Sequence, residues 1–95
     1  MKITMVKKIM PDGSPCPKCQ GVLDLLQDRG LLDKIDLMLE ASPKDPDGEG
    51  MKLVKKLRIK RAPFFVVEKD DGTEKVYDSV LRMLKELFPA DTADQ

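Results

Sequence analysis

The chemistry available to this chain depends on its two cysteines, which lie in the segment Cys16-Pro17-Lys18-Cys19. A thiolate is a strong nucleophile, and cysteines three positions apart on a helix lie close enough to form a disulfide. The chain has no histidine, which excludes Ser-His and Cys-His catalysis and every zinc site with a histidine ligand. The motif therefore indicates thiol–disulfide exchange.

The residues after the motif predict a helix that begins at it. Apolar residues recur there at helical spacing, namely Cys19, Val22, Leu23 and Leu26. Pro17 suits the first helical position and Gly30 suits the position just past the helix end. This places Cys16 at the N-cap, where free amides and the helix dipole lower a thiol pKa from about 8.5 to roughly 3.5–7.5. Cys16 is therefore predicted to attack, and the more buried Cys19 to resolve the mixed disulfide.

A single pair of cysteines leaves other interpretations open. A zinc site of four cysteines needs a second pair, and the chain has only two cysteines, so no metal site within one chain is expected. One alternative is a metal or iron–sulfur cluster shared between two chains through Cys16. The other is a redox-silent interaction domain of the same fold.

Length, charge and hydropathy limit the class of protein. Ninety-five residues predict one domain over 1–95, with 90–95 as a frayed tail. A formal net charge of zero argues against a nucleic-acid or anionic-membrane partner. No apolar run reaches the ~20 residues that span a bilayer, and Lys7 and Lys8 interrupt any signal-peptide core. A cytoplasmic protein is expected, where permanent disulfides are rare. The oligomeric state stays open.

The predicted elements follow the order βαβαββα. Strands are predicted over residues 2–10, 35–39, 63–67 and 74–77, with a hairpin turn at 70–73. Helices are predicted after Cys16, over 51–57, and from a cap at Asp78 or Ser79 to Pro89. The last helix is expected to bury five residues: Val80, Leu81, Leu84, Leu87 and Phe88. This order predicts an α/β fold with a mixed four-stranded sheet and helices on both faces.

The strand–CPxC–helix opening, the segment Arg61-Ala62-Pro63-Phe64-Phe65 and the element order together resemble the thioredoxin/glutaredoxin superfamily over residues 2–88. The CPxC form, preceded by Pro15 rather than Trp, is similar to dithiol glutaredoxins rather than to thioredoxins, whose motif is usually WCGPC. The resemblance implies a thioredoxin-like, glutaredoxin-type fold. It also implies an oxidoreductase that reduces protein or small-molecule disulfides without a bound cofactor. Its electrons would come from a reductase or from a thiol such as glutathione.

The resemblance further implies a substrate site around the motif. Pro63, which opens the third strand, would follow a cis peptide bond and face the cysteines. Ala62 would then offer its backbone N–H and C=O to an extended substrate or to glutathione. Pro17, Lys18 and Arg61 would lie in the same substrate site.

Two features bear on the choice of substrate. Glutathione-using relatives carry a Gly-Gly turn before the last helix, whereas this chain has Val76-Tyr77-Asp78-Ser79 there. Asp78 is predicted to cap that helix rather than to bind a glutamyl amine, so the choice between glutathione and a protein disulfide stays open.

A basic stretch precedes Pro63. Lys52, Lys55 and Lys56 are interpreted as a solvated helix face. Lys60 and Arg61 either attract an acidic partner or stabilise the thiolate, or they are simply solvated.

Overall fold

The computed structural model describes residues 1–89, and its elements follow the predicted βαβαββα order. In chain order they are β1 (Lys2–Lys8), α1 (Pro17–Asp28), a 3₁₀ turn (Leu32–Lys34), β2 (Leu37–Ala41), α2 (Glu49–Leu57), β3 (Phe64–Glu68), β4 (Glu74–Tyr77) and α3 (Val80–Leu87). The predicted frayed tail at 90–95 lies outside the described residues. Within residues 1–89, no helix is long and apolar enough to cross a bilayer.

The four strands form one mixed sheet in the order β2-β1-β3-β4. β1 runs parallel to β2 and antiparallel to β3, and β4 runs antiparallel to β3. The two central strands are almost wholly buried because both faces of the sheet are covered. The predicted mixed four-stranded sheet is therefore confirmed.

Apolar side chains of the sheet point alternately to its two faces, and a separate core forms on each. One core lies under α1 and α3 and contains Ile3, Met5, Leu26, Leu31, Phe65, Val67, Tyr77, Met83 and Leu84. The other lies under α2 and contains Val6, Ala41, Phe64 and Val66. The predicted helices on both faces are thus confirmed, and the motif helix α1 is anchored by its own apolar side.

The first two strands differ from their predicted bounds. β1 ends at Lys8. The Ile9 N–H still donates to the Ala41 carbonyl (3.0 Å), but Ile9 pairs only through an isolated bridge with Pro15. β2 spans Leu37–Ala41 rather than 35–39. Ile35 ends the 3₁₀ turn and packs against the first core, so its apolar side chain reflects a tertiary contact and not strand alternation.

The start of α3 also differs from prediction. Ser79, and not Asp78, caps the helix, because the Ser79 Oγ accepts a hydrogen bond of 3.3 Å from the Arg82 N–H. Val80, Met83, Leu84 and Leu87 recur at helical spacing and share the inner face of α3, whereas Leu81 is turned by about 100° from Val80 toward the outer side. Leu81 is 53% exposed and Met83 is fully buried, so the predicted burial of Leu81 is wrong.

α2 lies unusually close to the edge strand β2. Gly50, which the sequence places in a polar loop, instead belongs to the first turn of α2 and is buried. A Cβ at Gly50 would collide with the backbone carbonyl of Glu40. Only glycine allows this approach, which fixes α2 beside the end of the sheet that carries the cysteines.

Candidate active site

Cys16 lies at the N-cap of α1, as the sequence predicts. Its backbone is extended (φ −71°, ψ 122°), and Pro17 occupies the first helical position. The Cys16 carbonyl accepts a hydrogen bond of 3.0 Å from the Gln20 N–H, which closes the first helical turn. Proline at this position loses nothing, because its missing N–H would have no partner within the helix. Cys19 follows as the third helical residue, one turn inward.

The loop over residues 9–15 holds Cys16 in this position through hydrogen bonds of its own. The Met10 N–H donates to the Ser14 carbonyl (2.9 Å), and the Gly13 N–H donates to the Met10 carbonyl (2.8 Å). The Asp12 carboxylate accepts from the Ser14 N–H (2.9 Å) and from its hydroxyl (2.6 Å). Gly13 has φ +87°, a conformation that other residues rarely adopt. These hydrogen bonds therefore fix the conformation of the loop just before the motif.

Both cysteines are free thiols, and they differ in exposure. Cys16 is 9% exposed and Cys19 is 3% exposed. Both line a small cavity of about 40 Å³, whose walls also include Lys7, Lys8 and Glu40. Cys16 is therefore the sulfur that a substrate reaches first.

The surroundings of Cys16 lower its pKa. Partial desolvation opposes ionisation, but it is outweighed by the Cys19 N–H, the Cys19 thiol, the Lys18 N–H and the positive charge of Lys8. Cys16 makes no conventional side-chain capping hydrogen bond. The helix amides nevertheless lie close enough to stabilise a thiolate electrostatically. Cys16 therefore has the character of a nucleophile.

The surroundings of Cys19 raise its pKa. Burial is the largest cause, and hydrogen bonding to Cys16 together with the Cys16 charge acts in the same direction. The Lys8 N–H and the charge of Lys7 partly oppose this. While Cys16 is a thiolate, Cys19 therefore keeps its proton and donates a hydrogen bond to the Cys16 sulfur.

The structure brings Ala62 and Pro63 to the same end of the sheet as the cysteines. The Ala62–Pro63 peptide bond is cis, as the resemblance implies. Val6 pairs with Phe64 at the end of the β1–β3 ladder. The residues just before Phe64 therefore lie beside Lys7 and Lys8, which line the cysteine cavity.

The charges near the thiolate differ from those predicted. Lys18 acts on Cys16 through its backbone N–H, and the side-chain charge that reaches the sulfur belongs to Lys8. Lys60 and Arg61 do not contribute to the shift of the Cys16 pKa, so their predicted role in stabilising the thiolate is unsupported. One indication in the sequence that Lys8 lies near the thiolate is its position at the end of the strand before the motif loop.

The topology, with an α1 crossover between parallel strands, an antiparallel hairpin and a CxxC pair at the start of α1, defines a thioredoxin-like α/β fold. No protein-family model and no curated protein sequence matches the chain. The chain is similar to the solution structure of a thioredoxin from Thermus thermophilus, with 24% identity and a TM-score of 0.49. That similarity covers 94% of this chain and 73% of the thioredoxin chain.

Proposed function

We propose that this protein is a dithiol–disulfide oxidoreductase in which Cys16 attacks and Cys19 resolves. The observation that carries the proposal is the placement of two free thiols one helical turn apart, with Cys16 at the N-cap of α1 and Cys19 more deeply buried. The pKa of Cys16 is lowered at the N-cap of α1, whereas the pKa of Cys19 is raised by burial one turn inward. A structural pair of buried thiols needs no such difference, but sequential thiol exchange does.

The exchange has two steps that balance in atoms and electrons. The Cys16 thiolate attacks one sulfur of the substrate disulfide, forms a mixed disulfide, and releases the other sulfur as a thiolate that takes a proton from water. Cys19 then loses its proton to solvent and attacks the Cys16 sulfur. This forms the Cys16–Cys19 disulfide and releases the second substrate thiol. Two electrons pass from the protein to the substrate, and a reductase or a small thiol must return them.

The proposed substrate contacts follow from the residues around Cys16. Pro17 and Lys18 are exposed at the start of α1, and Arg61 is exposed beside the half-buried Ala62. The backbone of Ala62 precedes β3 at the end of the sheet that carries the cysteines. It is proposed to pair with an extended substrate, with Pro63 behind it. Glutathione stays an expectation as electron donor. Because Asp78 does not cap α3, its exposed carboxylate is available to bind the glutamyl amine of glutathione.

Single-cysteine variants test the proposal. Cys16→Ser is expected to abolish reduction of a disulfide substrate, because the attacking sulfur is gone. Cys19→Ser is expected to retain the first step and to accumulate a mixed disulfide, seen as a mass increase that dithiothreitol reverses. The Cys16→Ser/Cys19→Ser variant supplies the background rate. Retention of wild-type reduction by both single variants would falsify the assignment.

The shared-cluster alternative is separated by a different measurement. Among residues 1–89, no group of three or more His, Cys, Asp or Glu side chains comes together to hold a metal. A metal held on Cys16 by three or more such side chains would therefore need ligands from outside these residues. Anaerobically purified protein that shows a thiolate-to-iron absorption band and a dimeric mass would favour this alternative over the dithiol mechanism.

A further inference from the structure

Three depressions follow one another along the end of the sheet that carries the cysteines. The cysteine cavity shares Lys7 and Lys8 with a groove of about 250 Å³ between α2 and the ends of the central strands. That groove shares Lys60 and Arg61 with a wide, open depression of about 590 Å³. The shared walls make a continuous path that begins at Cys16. We name the middle part, lined by Val6, Ala41, Met51, Val54, Ile59 and Phe64 among others, the apolar groove.

The apolar groove has an apolar floor and a basic rim. Its floor comes from the second core and from α2, and none of its lining residues is acidic. Lys8, Lys60 and Arg61 stand on the rim and are exposed. Ala62 also lines the groove, which brings the proposed substrate-pairing backbone to its wall. An occupant therefore needs an apolar side chain and negative charges around it.

The rim cations form no close ion pair within the described residues, although Asp78 lines the wide depression together with Lys60 and Arg61. Lys7 pairs with Glu40 at 3.9 Å, but no ion pair within residues 1–89 involves Lys8, Lys60 or Arg61. The formal net charge of the whole chain is zero, so this local excess of positive charge is balanced elsewhere on the molecule. Uncompensated charge of one sign around a cleft attracts partners of the opposite sign.

We infer that the substrate presents its disulfide on an acidic polypeptide segment. An apolar side chain next to the substrate cysteine fills the apolar groove, and carboxylates of the same segment lie against Lys8, Lys60 and Arg61. This inference rests on the proposed function and names its substrate class. A polypeptide fits better than glutathione, because a neighbouring apolar side chain of a polypeptide can fill the groove while its backbone pairs with Ala62, and glutathione has no such side chain.

Three matched peptides test the inference. Each carries a cysteine followed by leucine, joined by a disulfide to the same chromogenic thiol, and the flanking residues are all Glu, all Gln or all Lys. Release of the chromogenic thiol gives the second-order rate constant of the reduced protein. The Glu peptide is expected to react about tenfold faster than the Gln peptide at low ionic strength. The Lys peptide is expected to be slowest, and 0.5 M NaCl is expected to compress the differences to within roughly threefold.

Charge-reversal variants locate the effect. Lys60→Glu/Arg61→Glu is expected to remove or reverse the preference for the Glu peptide. Lys52→Glu/Lys56→Glu makes the same charge change at exposed positions of α2 that line none of the three depressions. It is expected to keep most of the preference, which separates a local effect from a change in net charge. Replacing the peptide leucine with serine is expected to slow the Glu peptide severalfold, because the groove then stays unfilled.

The outcomes distinguish failure of the inference from failure of the proposed function. Equal rates with the three peptides at low salt, with a neutral small disulfide still reduced, would overturn the inference and leave the oxidoreductase intact. No reaction with any peptide or with the neutral disulfide would overturn the proposed function and the inference together. Faster reduction of glutathione disulfide than of the Glu peptide would overturn the choice of a polypeptide.

Discussion

The starts of α1 and α3 differ in what their unpaired backbone amides interact with. Each helix begins with amides that have no partner within the helix. At α3, the Ser79 hydroxyl accepts a hydrogen bond from one of them. At α1, Cys16 makes no conventional capping bond, and the amides of Lys18 and Cys19 act on its sulfur instead. The N-terminus of α3 is therefore capped by a side chain that stabilises the helix, whereas the amides at the N-terminus of α1 are left to stabilise a thiolate.

The largest expected effect comes from giving α1 the kind of start that α3 has. Cys16→Ser is expected to lower disulfide reduction by roughly a thousandfold or more. The same variant is expected to raise the free energy of unfolding by about 0.5–1 kcal/mol, because serine is a preferred N-cap. Steady-state reduction assays and urea unfolding measure the two effects. If Cys16→Ser lowered the free energy of unfolding as well as the activity, the proposed difference between the two helix starts would be wrong.

The next effect tests what holds α2 beside the site. Gly50→Ala is expected to lower the free energy of unfolding by about 1–3 kcal/mol, because the added Cβ collides with the Glu40 backbone. Gly21→Ala is the matched control, since Gly21 lies in α1 with open space around its Cβ position. That control is expected to stabilise the protein by up to about 1 kcal/mol. Thermal unfolding of both variants checks the prediction.

A smaller change is expected at the satisfied helix start. Ser79→Ala is expected to lower the free energy of unfolding by about 1 kcal/mol, because it removes the capping acceptor for the Arg82 N–H. Disulfide reduction per folded molecule is expected to stay at the wild-type rate. Asp78→Ala serves as the control, because Asp78 is not the cap, and an equal loss of stability there would contradict the assignment.

The finest test concerns the order of ionisation. With rising pH, alkylation of Cys16 is expected to reach half its plateau below the ordinary pKa of a thiol, and that of Cys19 above it. Lys8→Gln is expected to move the Cys16 midpoint upward, because it removes a positive charge that favours the thiolate. Lys18→Gln is the control and is expected to leave the midpoint nearly in place. Mass spectrometry of proteolytic fragments resolves the two sites.

Local signals in the sequence were enough for the start of α1 and for the turns. Pro17 at the first helical position, Gly30 with φ +69° past the end of α1, and the turn before β4 all appear where the sequence places them. These features depend on residues close together in the chain. The order of elements follows from them, since short connections leave few possible topologies.

Features that depend on distant contacts could not be predicted in the same way. Ile35 is apolar because it packs on the core after a 3₁₀ turn, and Gly50 is glycine because β2 passes beside it. Lys8 acts on Cys16 although eight positions separate them. In each case the partner becomes visible only once the chain is folded. The motif predicted which two sulfurs react, whereas the charges and amides around them became known only from the folded structure.

The loop over residues 9–15 has a consequence for how such a protein could change its partners. The hydrogen bonds that shape the loop run between its own residues, such as Met10, Asp12 and Ser14. The amides that lower the pKa of Cys16 belong to α1. The shape of the surface beside Cys16 therefore depends on hydrogen bonds within the loop, whereas the reactivity of Cys16 depends on the amides of α1. Substitutions of exposed loop side chains that keep these hydrogen bonds can alter which surfaces approach Cys16 while the α1 amides beside its sulfur stay in place. Selection can then act on recognition and on chemistry separately.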